Sequence, residues 1–518
     1  MCPETKAQIK YPRTFLTFYR IFAAPSELLE AIITRFTHTK PGIATTASEE
    51  SSNDRILMVT EQWINAYPGD FAQPVTRFKL GGFLEEVESD SKLEAAAQQI
   101  SLAREIVTED DDTEWACSDS SSARRSTAIT FLSTSSIDSE DCAGMSTPQI
   151  VEPTPFYRQN SIAAKLDAKL IFGGNSTLTL NAIGPSRPSA NTSDSCSSSE
   201  TTLNVAESAQ RQAALLSPNP TTPFTKVHWR ALMAQPDDFI ARELTRIDWI
   251  MFSSIRPRDL VRHVTVPPSD RHRFPALQNV TRMIEHFNHL AYWVTNLVLL
   301  RDKPKHRAQA LEKLMRVARK LRELNNYNAL GALVAGVQGS AVHRLTLTRE
   351  LVTPAVAKDF MKLEILMGSQ KGCFAYRLAW DNTPSERVPF LPLHRRDLVF
   401  AEAGNKTFVG AAEGEGRDDG SPPPSPPPLA QRKINWPKFE VMGDVLAGIQ
   451  RAQATPYSGF SVNEEVKALV LDGQIIKDDD ELYARSVALE VGGGVAEGGA
   501  VRRKFTWLTR YGLGDIRT

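Results

Sequence analysis

The stretch NVTRMIEHFNHLAYWV, Asn279–Val294, decides the fold class. Its apolar residues Val280, Met283, Ile284, Phe287, Leu290, Ala291 and Val294 recur at steps of three and four, and Leu297 extends the series. Side chains at those steps share one face of an α-helix, so the spacing predicts a long amphipathic core helix. The apolar run Leu290–Leu300 is only about half a membrane span and carries Thr295 and Asn296, which assigns it to a protein core. Outward from it, Phe239, Leu244, Ile247, Met251 and Ile255 mark a helix that Pro257 stops. Leu311, Leu314, Met315, Ala318 and Leu321 mark another, with Lys313, Arg316, Lys320 and Arg322 on its opposite face. Near the N-terminus, Leu28, Leu29, Ile32, Ile33 and Phe36 follow Pro25, and Ile56, Val59, Trp63 and Tyr67 precede Pro68 at the same spacing. The predicted fold is all-α.

At 518 residues the chain suggests two or three domains. Composition separates four zones: a helical region 11–105, a Ser/Pro-rich linker 106–225, a larger helical region 235–490, and a Gly-rich link with a tail, 491–518. The linker holds acidic and serine runs with few aromatics, too little apolar surface to offset ordering entropy, so disorder is expected there. Within it lie a short apolar patch, AKLIFGG, and candidate sites for regulatory kinases at Thr147-Pro148, Ser217-Pro218, Thr222-Pro223 and Arg124-Arg125-Ser126. A Pro-rich insertion, 411–432, interrupts the larger region; its run Pro422–Pro428 either fits an SH3-type groove or is a passive loop extension.

A formal net charge of -1 gives no global field that argues for nucleic acid as a partner. The five cysteines, Cys2, Cys117, Cys142, Cys196 and Cys373, are scattered and without a close pair, which fits reduced thiols in a cytoplasmic protein and supplies neither a zinc site nor a disulfide framework. No apolar leader is visible at the N-terminus. The Gly-Lys-Ser/Thr phosphate loop is absent, as are metalloprotease and nucleophile-elbow motifs. His286 and His289 are three apart on one helix but have no third ligand in view, so they read as ordinary helix histidines and no metal or cofactor is expected. The residues themselves support a helical interaction module without covalent or acid–base machinery.

Six blocks in order across residues 241–457 resemble the exchange domain of Ras-family guanine nucleotide exchange factors. They are ARELTRIDWIMFSSIRPRDL (Ala241–Leu260), NVTRMIEHFNHLAYWV, RAQALEKLMRVARKLRELNNYNAL (Arg307–Leu330), GSAVHRLTLTRELV (Gly339–Val352), VPFLPLHRRDLVFAEAGN (Val388–Asn405) and IQRAQATPY (Ile449–Tyr457). FLTFYRIFAAPSELLEAIITRF (Phe15–Phe36) and ILMVTEQWINAYPGDF (Ile56–Phe71) resemble the accompanying Ras exchanger motif, which would occupy residues 11–105 and start almost at its first block, so a truncated domain is expected. RIDWIMFSSIRPRDLVRH and LLRDKPKHR are similar to fungal members, including mitotic-exit exchange factors.

The resemblance implies an all-α body with a protruding helical hairpin that opens the switch regions of a Ras-family small GTPase and releases GDP without covalent chemistry. Ala355–Met367 is expected as the outgoing helix, GSQKG as the tip and Cys373–Trp380 as the return. Lys362, Leu363, Glu364, Leu366 and Met367 are the expected hairpin residues, with Lys362 or Glu364 filling the magnesium or phosphate space and the apolar residues either wedging or packing inward. Asn325, Asn326, Asn328, Ser340, His343, Arg344 and Tyr376 are the expected GTPase-binding set. For the three asparagines, side-chain bonds to neighbouring segments and direct partner contacts remain open alternatives. Because Ras-family substrates are lipidated, peripheral recruitment to a membrane surface is also implied.

Overall fold

A computed structural model describes residues 3–38, 47–88, 98, 116–117, 202–409 and 433–490. Helices α1 (Pro3–Phe18), α2 (Pro25–His38), α3 (Ala47–Ala66) and α4 (Pro74–Glu88) form the N-terminal part. Leu16, Tyr19, Leu29, Phe36, Trp63, Phe71, Leu80 and Phe83 make its own buried cluster. The apolar spacing read in the second and third helices falls on this cluster, in which Leu29, Phe36 and Trp63 are buried.

The larger part opens with α5 (Thr202–Ala214), α6 (Lys226–Ala234), α7 (Asp237–Ser253) and α8 (Pro257–Thr265). The long helices α9 (Leu277–Leu299), α10 (Pro304–Glu323) and α11 (Tyr327–Gln338) are its centre. The short α12 (Ser340–His343) and α13 (Thr346–Glu350) lead to α14 (Pro354–Met367) and α15 (Phe374–Asp381). Then come α16 (Leu391–Ala403), α17 (Trp436–Gln453), α18 (Glu464–Leu471) and α19 (Asp479–Leu489). Among the described residues the strands are two-residue pieces: β1 (Thr222–Pro223) pairs in parallel with β4 (Gly473–Gln474), and β2 (Phe408–Val409) antiparallel with β3 (Lys433–Ile434). The fold is all-α.

Helix α9 is buried nearly all round, so its polar residues need internal partners. They find them in the C-terminal segment: Trp293 Nε1 donates to Leu469 O at 3.0 Å, and His289 Nε2 lies 2.7 Å from Val470 O. Asn296 donates to Ile476 O at 2.8 Å and accepts from Ile476 N at 3.1 Å. On its other side α9 packs closely on α11, where Gly336 is required: a Cβ there would stand 2.6 Å from Ala291 O.

Part of the stretch expected to be linker, 106–225, lies among the described residues and is ordered there. Residues 202–214 form α5, which packs on α7, buries Ala213, and joins it through Gln210 Nε2 to Ser254 O at 3.1 Å; Leu216, just past the helix, is buried too. After Glu200 the serine runs give way to VAESAQRQAALL, rich in strong helix formers, and that composition overrides the surrounding polarity. Thr222 is in β1. The AKLIFGG patch, Thr147, Arg124–Ser126, the insertion 411–432 with Pro422–Pro428, and the tail 491–518 lie outside the described residues. No helix among the described residues is long and apolar enough to cross a membrane.

Candidate functional site

The segment expected to be the hairpin does form two helices around a tight turn, in which Lys371, Gly372 and Cys373 all adopt positive φ (48°, 66° and 62°). It does not stand away from the body. Helix α14 lies along α10 and touches α11, burying Phe360, Leu363 and Met367 in the main core, with Leu366 partly buried beside them. The apolar face read from their spacing is therefore a packing face. Glu364 is half-buried, and Lys362 is exposed and paired with Asp359 at 2.9 Å. The outward apolar residues of α14 are Met361 and Ile365, which the periodicity did not single out.

All three asparagines bond to other segments of the chain. Asn325 takes a left-handed backbone (φ 55°), accepts from Arg322, and donates to Ser385 Oγ and Glu386 O, both at 3.2 Å. Asn326 is fully buried, caps α11 by accepting from Ala329 N at 3.0 Å, and donates to Thr245. Asn328, also buried, donates to Asp248 Oδ1 at 3.0 Å, and burial pushes the Asp248 carboxyl up to about 6. Tyr376 is buried too, its hydroxyl 2.7 Å from His394 Nε2 and accepting from Phe390 N. Arg344 donates to the carbonyls of Ser486 and Glu490; Ser340 is half-buried, and His343 is exposed. The structure thus brings Asn326, Asn328 and Tyr376 into the interior and leaves His343 and Lys362 at the surface.

A second helical pair is formed by α16 and α17, whose inner faces join the same core as α9–α11. Helices α16 and α17 pack on one another, on α8 and on α1, and the antiparallel β2–β3 link closes their far end. Both are rooted in the body. At the start of α16, Phe390 and His394 pack against Tyr376; at the end of α17, Gln453 Nε2 donates to the carbonyls of Phe252 and Ile255 at 2.9 and 2.8 Å. Between the two helices, Lys438 reaches Glu402 at 3.0 Å in a nearly buried pair. Their outward apolar residues are Phe400 and Val441, 65% and 55% exposed. The sequence blocks held α16 and only the end of α17, and the insertion 411–432 separates the two helices, so adjacency in space was not legible from spacing.

The N-terminal part braces this pair from the side. Tyr11 meets the Trp436 ring at 4.8 Å, and Phe18 meets Phe439 at 5.1 Å. Thr14 packs so closely on Gly443 that a Cβ there would lie 2.6 Å from its hydroxyl. Below, Arg258 at the start of α8 donates to both oxygens of Asp70, at 2.9 and 3.2 Å, and lies over the Tyr67 ring at 3.7 Å.

The comparisons meet this geometry. Residues 239–440 match the RasGEF domain, and residues 1–86 match the RasGEF N-terminal motif. The chain carries a RasGEF domain. The matched N-terminal motif spans α1 to nearly all of α4, and the RasGEF domain match runs from α7 into α17. The chain is 29% identical over 264 residues to Ras guanine nucleotide exchange factor A of Dictyostelium discoideum, covering 49% of this chain and 40% of that protein. It is 30% identical over 251 residues to factor S of the same organism, covering 48% of this chain and 22% of that protein. It is 35% identical over 170 residues to Rap guanine nucleotide exchange factor 3 of Homo sapiens, covering 33% and 18%. The chain therefore spans less than half the length of these relatives. Among the described residues of the RasGEF domain and its neighbours, no group of three or more His, Cys, Asp or Glu side chains is placed to hold a metal ion. His286 and His289 are buried, which depresses them to about 3 and about 4, so both are neutral core residues.

Proposed function

We propose that this chain is a guanine nucleotide exchange factor that speeds GDP release from a Ras-family small GTPase and so promotes GTP loading. The observation that carries the reading is the match of residues 239–440 to the RasGEF domain, together with a helical pair that is rooted at both ends and braced by the N-terminal motif. The element inserted at the switch regions is α16–α17. It presents Phe400 and Val441 outward, and its supports fix its angle before any partner arrives. Pre-set geometry matters because a partner that must first be ordered loses part of its contact energy to that ordering.

No reacting group is required. A picomolar nucleotide complex corresponds to roughly -16 kcal/mol, and its spontaneous release is correspondingly slow. A protein that binds the emptied GTPase better than the loaded one weakens nucleotide binding by the same factor, because coupling is reciprocal. A differential of about 5.5 kcal/mol shifts that equilibrium by about 10⁴-fold. Desolvating an exposed apolar wedge against an opened switch region is of the right kind and size to supply much of it. The excess of GTP over GDP in the cell then sets the direction.

Finer readings rest on sequence. The wording of RIDWIMFSSIRPRDLVRH and LLRDKPKHR supports a fungal, mitotic-exit type. Lipidated substrates support a cytoplasmic protein recruited to membrane surfaces, and the linker and Pro422–Pro428 support kinase and SH3-type partners. The decisive experiment follows labelled GDP leaving a panel of Ras, Rap and related GTPases with the full chain added. Acceleration on at least one is expected; none across the panel, or binding indifferent to nucleotide state, sinks the proposal.

A further inference from the structure

Helices α6 and α10 start beside one another, and both start with the less favourable sign of charge. The unpaired N–H groups at a helix N-terminus carry partial positive charge, which carboxylates relieve and cations aggravate. Neither helix has an acid in its first turn. Lys226 is the first residue of α6; Lys303 precedes α10 without a side-chain cap, and Lys305 lies in its first turn. The two starts are joined. Lys226 Nζ is 3.3 Å from Asp302, Trp229 Nε1 donates to His306 O at 3.2 Å, and Arg301 lies over the Trp229 ring at 4.7 Å.

Arg230, one turn after Lys226, adds another cation. Across α6 and residues 301–306, the five cations Lys226, Arg230, Arg301, Lys303 and Lys305 meet one carboxylate, Asp302, in a chain whose formal net charge is -1. Arg230, Lys303 and Lys305 are exposed and have no carboxylate partner among the described residues. Two neighbours register this field. The hydrogen bond and charge of Lys226 hold the Asp302 carboxyl below its ordinary value, with Arg301 and Arg485 adding to the effect. Loss of solvent, and then the charges of Arg301, Lys303 and Lys305, lower the His306 imidazole. Cations crowded onto two helix starts cost stability and return none within the fold. Val227, 64% exposed, places an apolar side chain among them. Trp229 packs on the core and lies under Arg301, so the patch offers no open aromatic shelf on which a base could stack. Exposed cations around an apolar residue suit the headgroup layer of an anionic bilayer, where each cation contributes its own attraction.

We infer that the joined starts of α6 and α10 form a docking surface for an anionic lipid bilayer, with Lys226, Arg230, Lys303 and Lys305 on the headgroups and Val227 at the interface. Binding is read without any GTPase, so its failure is separate from a failure of the exchange reading. The full chain is sedimented with vesicles of phosphatidylcholine, with and without phosphatidylserine. Binding is expected only with phosphatidylserine, and it falls as salt rises. Lys303→Gln/Lys305→Gln should weaken it about thirtyfold, the scale of two cations at an anionic surface. Its Tm should stay level or rise, because the start of α10 is relieved of like charge. The charge-matched Arg55→Gln/Arg77→Gln, exposed on the N-terminal motif, should keep binding. No binding to phosphatidylserine vesicles overturns the inference, as does undiminished binding by Lys303→Gln/Lys305→Gln or an equal loss in Arg55→Gln/Arg77→Gln. Binding of an RNA oligomer that depends on Lys303 and Lys305, with vesicles left unbound, assigns the surface to nucleic acid and overturns it equally.

Discussion

Asp70 and Arg258, 188 residues apart, form a buried ion pair that joins the N-terminal motif to the RasGEF domain. Asp70 also accepts from Tyr19 Oη at 2.5 Å, Trp63 Nε1 at 2.8 Å and Arg20 Nη1 at 2.7 Å, while Arg258 donates to Leu16 O at 2.9 Å. Removing one partner of such a cluster leaves buried charge uncompensated, which costs about 3–5 kcal/mol. Asp70→Ala should therefore destabilise the protein by that amount in urea denaturation. It should also slow GDP release more than it perturbs α9, because the brace on α17 is lost with it. An Asp70→Ala protein as stable as wild type would mean the junction is not a stabilising contact.

Helix α14 gives a pair of substitutions with opposite expectations. Leu363 is in the core, so Leu363→Ala removes packed methyl groups and leaves a cavity, at a cost of about 2–5 kcal/mol. Ile365, 61% exposed two residues on, should tolerate Ala within about 0.5 kcal/mol. Thermal or urea unfolding of the two variants checks the direction of the helix. Equal losses would place the apolar face elsewhere.

Helical spacing made the fold legible. The period through Val280, Met283, Phe287 and Leu290 found the centre of the larger part, and all four are buried. Periodicity reports that a helix has an apolar face but not what covers it, and this is why Phe360, Leu363 and Met367 read equally well as wedge or core. The pairing of α16 with α17 was hidden for a different reason: the insertion 411–432 separates two neighbours in space. Asn326 and Asn328 carried a readable signal, since an amide in a helix start competes for backbone groups. Their targets, Thr245 and Asp248, come from a helix some 80 residues earlier, and no local pattern encodes that.

The buried titratable groups predict how stability varies with pH. Burial raises Asp248 from 3.8 to about 6, so its contribution is fully present below 3.8 and is lost as pH rises through 6. Burial lowers His286 and His394 to about 3 and His289 to about 4, so their contributions are present above 6.5 and are lost as pH falls through those values. Three histidines outweigh one aspartate, and stability should decline from pH 6.5 towards 4. Asp248→Asn should stabilise the protein by about 2–3 kcal/mol at pH 7.5, with the gain vanishing near pH 4. Urea titrations at both pH values test it, and a gain independent of pH would remove the ionised carboxylate from the account.

Phe400 and Val441 decide whether α16–α17 acts on the GTPase. Both are exposed, so Phe400→Asp and Val441→Asp should change stability by no more than about 0.5 kcal/mol. On the proposed mechanism each places a carboxylate where apolar contact with the emptied GTPase forms. A desolvated, unpaired charge there costs at least about 2 kcal/mol of the differential affinity, or some thirtyfold in GDP release. The matching Ile365→Asp change on α14 should leave release within about threefold of wild type. If Ile365→Asp abolishes release while Phe400→Asp and Val441→Asp spare it, the working element is α14–α15 and the assignment of the pair is wrong. If all three spare it, neither helical pair supplies the wedge.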